Sequence, residues 1–254
     1  MILLLDGAMS AQLLKFGFDC LHDENKPHFS FLANKDLELM EKVYKSFIHL
    51  GVNVITTNTY HYGSTLDKNI PENESRKELY LQYFKNTCDL LCKLAGSRED
   101  VQVMGSVGTF ATLYHDCSEY SGVYMDRENA VNNALEYYRN ILSIFQEYTT
   151  IRKLVFETIP SSEEGLAALE VLREFPEMTA VMSFTYKENG CLRHGEKIHD
   201  VAEKLQRSNQ ILGIGVNCTD PENVLPALLE IQKFQFQNVF VYPNIGDSKF
   251  LEGG

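Results

Sequence analysis

Two carboxylates and one thiol stand at the places where a strand-built enzyme keeps its reactive groups. Asp6 follows the apolar run Ile2–Leu5, Glu157 follows Lys153–Phe156, and Cys218 comes two residues after Ile211–Val216, behind Asn217. A carboxylate at the end of an apolar strand is costly unless it is paired or functional. A thiol that loses its proton becomes a nucleophile and a metal ligand. Gly7 follows Asp6, and Asn58 and Tyr60 sit just past the run Val52–Thr56. Each of these has an ordinary role as well. Asp6 before a glycine caps a turn. Asn58 satisfies loop backbone, and Cys218 is a small core residue, the commonest fate of a free cysteine. Residue type and spacing leave both roles open and name no reaction.

Such groups need elements to aim them. Short apolar runs recur at Ile2–Leu5, Val52–Thr56, Val101–Met104, Lys153–Phe156, Thr179–Ser183, Ile211–Val216 and Val239–Tyr242. Continuous apolar runs rich in β-branched residues are characteristic of strands buried on both faces of a parallel sheet. Helical periods lie between them. Leu37, Met40, Val43, Tyr44, Phe47 and Ile48 share one face, with Gly51 as the stop. Val131 to Phe145 repeats the pattern, and Ser75–Leu94 is a further helical stretch. Ser161-Ser162-Glu163-Glu164 reads as a capping box opening a helix to about Phe175. Asp220-Pro221-Glu222 places an N-cap before a proline at the first helical position. The alternation predicts a (β/α) barrel or an open doubly wound sheet. No G-x-G-x-x-G follows a strand, which argues against a dinucleotide fold. In a barrel, the C-terminal strand ends build the active site. The polar stretches Cys20–His28 and Asp67–Arg76 read as loops on one domain spanning 1–254.

Bulk composition narrows the partners. The chain has 254 residues, 23 basic and 35 acidic, for a net charge of −12. No basic patch is available for phosphates, so a nucleic-acid partner is not expected. No run approaches the roughly 20 apolar residues of a membrane span. The apolar N-terminus is short and lacks a basic flank, so it reads as a strand and not as a signal peptide. The six cysteines are scattered through a long chain, as in a cytoplasmic protein with reduced thiols. Cys88 and Cys92 share a helix face and read as core thiols.

At the strand ends the sequence resembles the homocysteine S-methyltransferase family. Leu5-Asp6-Gly7-Ala8-Met9-Ser10, with Gly17 and Asp19, is similar to its opening motif. Thr57-Asn58-Thr59-Tyr60, Gly105-Ser106-Val107-Gly108 and Phe156-Glu157-Thr158-Ile159-Pro160 resemble the next three. Ser183-Phe184, Gly215-Val216-Asn217-Cys218 and Tyr242-Pro243-Asn244 with Gly246 resemble the rest, in the same order.

The resemblance implies an α/β fold of the (β/α)8 TIM-barrel type, with zinc at the C-terminal rim. It implies three cysteine thiolates on the metal and the substrate thiol in the fourth position. Cys218 corresponds to the first of those cysteines; no cysteine follows it, and the sequence ends Glu252-Gly253-Gly254. On this reading the chain lacks the eighth strand and last helices. As written it is expected to bind zinc weakly and to have little activity, because catalytic zinc normally has three protein ligands. His61 and Cys117 have no spacing that supports them as replacements.

The implied reaction gives methionine from homocysteine and a sulfonium donor, S-methylmethionine or S-adenosylmethionine. Zinc would deprotonate the substrate thiol, whose free pKa is ~8.5. Glu157 would hold the substrate ammonium. Asp6 and Gly7, with Asn58, would orient substrate or donor, and Asn217 would support the metal ligand. Tyr60 and Tyr242 either line the donor pocket by cation–π contact or simply pack. The alternatives are a betaine-dependent enzyme and a non-catalytic barrel that binds an amino acid or a partner. A Schiff-base aldolase ranks last, because Lys153 lies at a strand start on the opposite rim. Oligomeric state and use of selenocysteine as acceptor are left open.

Overall fold

The computed structural model describes residues 2–18, 32–63, 74–114 and 116–244. The expected loop Cys20–His28, residues 67–73 of the second loop, and Asp19 and Gly246 of the motifs lie outside the described residues. The chain divides into two compact units. One comprises Met1–Gly108 and Asn140–Leu154, the other Thr109–Arg139 and Val155–Gly254.

The first unit contains helices α1 (Met9–Lys15), α2 (Leu37–His49) and α3 (Glu74–Ala95) and strands β1 (Val54–Thr56) and β2 (Gln102–Val107). β1 and β2 pair in parallel, with Val54 opposite Gln102 and Thr56 opposite Met104. The 3.6 period of α2 turns Met40, Val43, Tyr44, Phe47 and Ile48 into the core, where they meet Leu13, Ile55 and Leu91. Asp36 caps this helix by accepting from Leu39 N at 3.0 Å. Gly51 ends it at φ +85°, a conformation that glycine adopts without steric cost. Arg76, expected in a loop, falls inside α3. Cys88 on α3 is buried and its thiol is pushed up by burial, and Cys92 is half-buried, as core thiols should be.

The expected first strand is reduced to a single bridge between Leu5 and Val54. Ile2 is 99% exposed, and Leu3 and Leu4 are exposed as well. Pairing is confined to Leu4 O, which accepts from Asn53 and Val54 N, and Asp6 N, which donates to Val54 O. β1 is only three residues long, so it offers no further ladder.

The second unit holds a parallel sheet in the order β3 (Lys153–Ile159), β4 (Thr179–Phe184), β5 (Ile211–Asn217), β6 (Val239–Tyr242). Helix α4 (Ala130–Tyr148) and the start of β3 carry the chain between units; α5 (Ser162–Arg173), α6 (His199–Leu205) and α7 (Pro221–Ile231) follow. Parallel register brings the strand ends level: Phe184 lies opposite Val216, and Asn217 opposite Tyr242. Gly215 on β5 is required by close approach, since a Cβ there would collide with the Ser183 side chain.

Two cap expectations are corrected in part. Ser161 does accept from Glu164 N at 3.1 Å, but the Glu164 side chain turns into the interior instead of reaching back to the cap. Asp220 stands at the N-cap of α7 without a side-chain cap bond; its carboxylate lies 3.5 Å from Arg193. The guanidinium competes successfully for the acceptor. Among the described residues, no helix is long and apolar enough to cross a membrane.

Candidate functional site

In the second unit the ends of β3, β4 and β5 are tied together by one side chain. Asn217, the last residue of β5, is 1% exposed. Its Oδ1 accepts from Thr158 N at 3.0 Å and from Ser183 Oγ at 2.7 Å. Its Nδ2 donates to Thr158 Oγ1 at 2.8 Å. Thr158 in turn donates to Cys218 Sγ at 3.6 Å. The next turn is fixed the same way. Thr185 Oγ1 donates to Cys218 O at 2.7 Å, and Tyr186 N donates to Thr219 Oγ1 at 2.9 Å.

Thr158 and Cys218 both have left-handed backbone, at φ 64° and 45°. For a β-branched threonine this is a true outlier, of the kind that costs about 1–3 kcal/mol and clusters at functional sites. The Asn217 bonds hold Thr158 there. The left-handed turn at Cys218 ends the strand and leaves its thiol half-buried at the rim.

Burial sets the state of the thiol. Burial pushes the Cys218 thiol above its ordinary range, and the Glu157 carboxylate adds to this. Hydrogen bonds from Thr158, Tyr120 and Asn217 pull it back in part. The Tyr242 hydroxyl is buried at the end of β6 with no hydrogen-bond partner of good geometry among the described residues. Burial and the carboxylate of Glu157 keep it protonated. Asn217 stands opposite Tyr242 in the sheet, and the Glu157 carboxylate acts on both the Cys218 thiol and the Tyr242 hydroxyl. Sequence reasoning missed Tyr120, which lies on a short turn (Ser118–Tyr120) far from Cys218 in the chain. No periodicity marks it.

The first unit holds the other candidates, each in its own surroundings. Asp6 is 8% exposed, and its Oδ2 accepts from Thr56 N at 2.7 Å and Thr56 Oγ1 at 2.9 Å. Asn58 and Asn34 clasp each other: Asn58 Nδ2 donates to Asn34 Oδ1, and Asn34 Nδ2 donates to Asn58 O, both at 2.9 Å. Asn58 N donates to Tyr44 OH at 3.1 Å. Tyr60 is half-buried, edge-on to His61 at 4.7 Å, and Gly7 is exposed. Lys153, first residue of β3, is exposed and donates to Gln102 at 3.0 Å.

Burial holds the Asp6 carboxyl at about 6 against an ordinary 3.8, with the Thr56 bonds opposing. The folded state therefore binds this proton more tightly than the unfolded chain. Its contribution to stability is full below about pH 4 and is lost as pH rises to about 6. Asn at this position carries no charge and keeps an oxygen for Thr56. Asp6→Asn is expected to gain about 2–3 kcal/mol relative to wild type between pH 4 and pH 7.5. Urea unfolding at the two pH values checks this; a constant difference would refute it.

Parallel strands alternating with helices, with a carboxylate, an amide and a thiol at the C-terminal strand ends, define an α/β enzyme of the rim-site class. The family profile described as Homocysteine S-methyltransferase matches residues 3–254, and the chain belongs to that family. Its members are methyltransferases. The chain is 28% identical over 255 residues to homocysteine S-methyltransferase YbgG of Bacillus subtilis, covering 97% of this chain and 78% of that one. It is 25% identical to a selenocysteine Se-methyltransferase of Brassica oleracea, covering 96% and 73%. The metallated homocysteine methyltransferase MmuM of Escherichia coli has the same fold at TM-score 0.81 and 25% identity, over 99% of this chain and 86% of that one.

Proposed function

We propose that the protein transfers a methyl group from a sulfonium donor to the thiol of homocysteine, giving methionine, on the rim of a (β/α)8-type barrel. The observation that carries this is the constellation of Glu157, Asn217 and Cys218 in a chain of this family. Glu157 receives the substrate ammonium by a charge-assisted bond. Asn217 holds the strand ends so that the reacting sulfur lies beside Cys218. Asp6, Gly7, Asn58 and Tyr60 are assigned to the binding of substrate or donor.

In the reaction the homocysteine sulfur attacks the donor methyl carbon in line. The new S–CH3 bond forms as the donor S–CH3 bond breaks. The electron pair of that bond stays on the donor sulfur, which leaves as a neutral thioether, and the thiol proton goes to solvent. S-methylmethionine and S-adenosylmethionine both supply such a leaving group.

Zinc is the metal that the family resemblance brings. Among the described residues no group of three His, Cys, Asp or Glu side chains could hold a metal ion. Cys218 with its hydroxyl and amide neighbours offers one soft ligand, fewer than the three of a catalytic zinc. These residues by themselves do not fit the ion.

The test is methionine formation by the intact protein from homocysteine with S-methylmethionine, S-adenosylmethionine or betaine in turn. Turnover with a sulfonium donor is the expected result for the intact protein, and little turnover for residues 1–254 taken alone. No methionine from any of the three would overturn the proposal. The Brassica relative's name motivates a parallel arm with selenocysteine as acceptor.

A further inference from the structure

Glu164, on the first turn of α5, is fully buried and plays no part in the chemistry above. Its Oε1 accepts from Phe110 N at 2.6 Å and from Tyr138 OH at 2.8 Å, and its Oε2 accepts from Tyr124 OH. A buried carboxylate is costly unless donors surround it, and an ionised one only accepts. An apolar residue at this position would pack without that cost, so what the carboxyl group adds is the set of donors it collects. Two of the three belong to one segment, residues 109–126.

That segment is built of three short turns, Phe110–Leu113, Ser118–Tyr120 and Val123–Asp126. Turns of this kind carry few good backbone bonds and depend on outside anchors. Phe110 and Tyr124 are both anchored on Glu164, and Thr109 Oγ1 lies 3.1 Å from Tyr124 OH. Between the two anchored residues stands Tyr120. It is half-buried, the Arg193 guanidinium lies 5.9 Å from its ring, and it is among the groups that pull the Cys218 thiol down.

We propose that Glu164 is a positioning residue: it pins the 109–126 segment at both of its anchors so that Tyr120 is held against Cys218. The inference rests on the methyl-transfer site proposed at Cys218. Glu164 touches neither substrate nor the reacting atoms and acts through the segment.

Hydrogen exchange and steady-state kinetics of the intact protein test this with Glu164→Ala, Glu164→Gln, Tyr120→Phe and the Glu164→Ala/Tyr120→Phe pair. In Glu164→Ala, amides of 109–126 are expected to exchange at least about tenfold faster, while those of β4 and β5 keep the wild-type rate. Glutamine keeps the oxygen that serves Phe110 and Tyr138 but loses the acceptor for Tyr124. Glu164→Gln should therefore retain protection in 109–113 and lose it in 118–126. This variant decides the matter if the alanine variant does not fold. Tyr120→Phe should lower kcat in the wild-type background and cost nothing more in Glu164→Ala, since the two residues act as one unit. Unchanged exchange in 109–126 of either Glu164 variant, or equal kinetic losses from Tyr120→Phe in both backgrounds, would overturn the proposal. A wild-type protein that methylates nothing would refute the reading of the site. The exchange data would then still show whether Glu164 anchors the segment.

Discussion

Replacing Cys218 with serine lowers kcat for methionine formation by more than about a hundredfold in the intact protein, with the fold retained. Groups that merely orient a reactive ligand cost about 10–100-fold when removed. In the proposed site Cys218 stands inside that layer, since Thr158, Asn217 and Thr185 all serve it or its turn. Serine keeps the size and can still accept from Thr158, so the change isolates the soft sulfur. The competing role for Cys218 is that of a small core residue, where serine in a half-buried position would cost little activity. Methionine formation beside a thermal melt separates the two. Wild-type turnover in Cys218→Ser would end the assignment of Cys218 to the reaction.

The second large effect belongs to Glu157→Gln, and it falls on a different kinetic constant. The substrate ammonium is remote from the sulfur that reacts. A contact to it is as strong in the bound substrate as in the transition state, so it lowers KM without raising kcat. A hydrogen bond to a charged group contributes roughly 1.5–3 kcal/mol. Its loss therefore raises the KM for homocysteine about ten- to hundredfold, with kcat changed far less. The variant also removes the carboxylate that pushes up Cys218 and Tyr242. Initial rates across homocysteine concentration measure both constants. A fall in kcat at unchanged KM would place Glu157 at the reacting atoms instead.

The Glu157 and Cys218 effects differ in kind because the proposed reaction sets the two residues at opposite ends of one small substrate. Asn217 is what makes that division possible. One buried amide binds β3 through Thr158 and β4 through Ser183, so a shift of either strand end is felt at the thiol.

Order and type of elements were legible in the amino-acid sequence because apolar periodicity is a local property. β6 matches its predicted run end for end, and α2 and α4 follow their 3.6-residue faces closely. The placing of Glu157, Asn217 and Cys218 near strand ends was legible for a related reason. A polar residue directly after an apolar strand stands out against its neighbours. The family motifs, read in order, supplied the rest of the assignment.

Tertiary contacts alone decided the remainder. The run Ile2–Leu5 is as apolar as the strands, yet only Leu5 bridges to Val54, because a partner strand three residues long limits the ladder. Glu164 occupies a capping-box position, but three donors from distant segments outbid the helix N-terminus for its carboxylate. Tyr120 influences the Cys218 thiol from a separate stretch of chain, and Thr158 is held left-handed by Asn217. Each of these depends on which remote residues meet after folding, and side-chain direction set by remote partners leaves no period or spacing in the sequence to read.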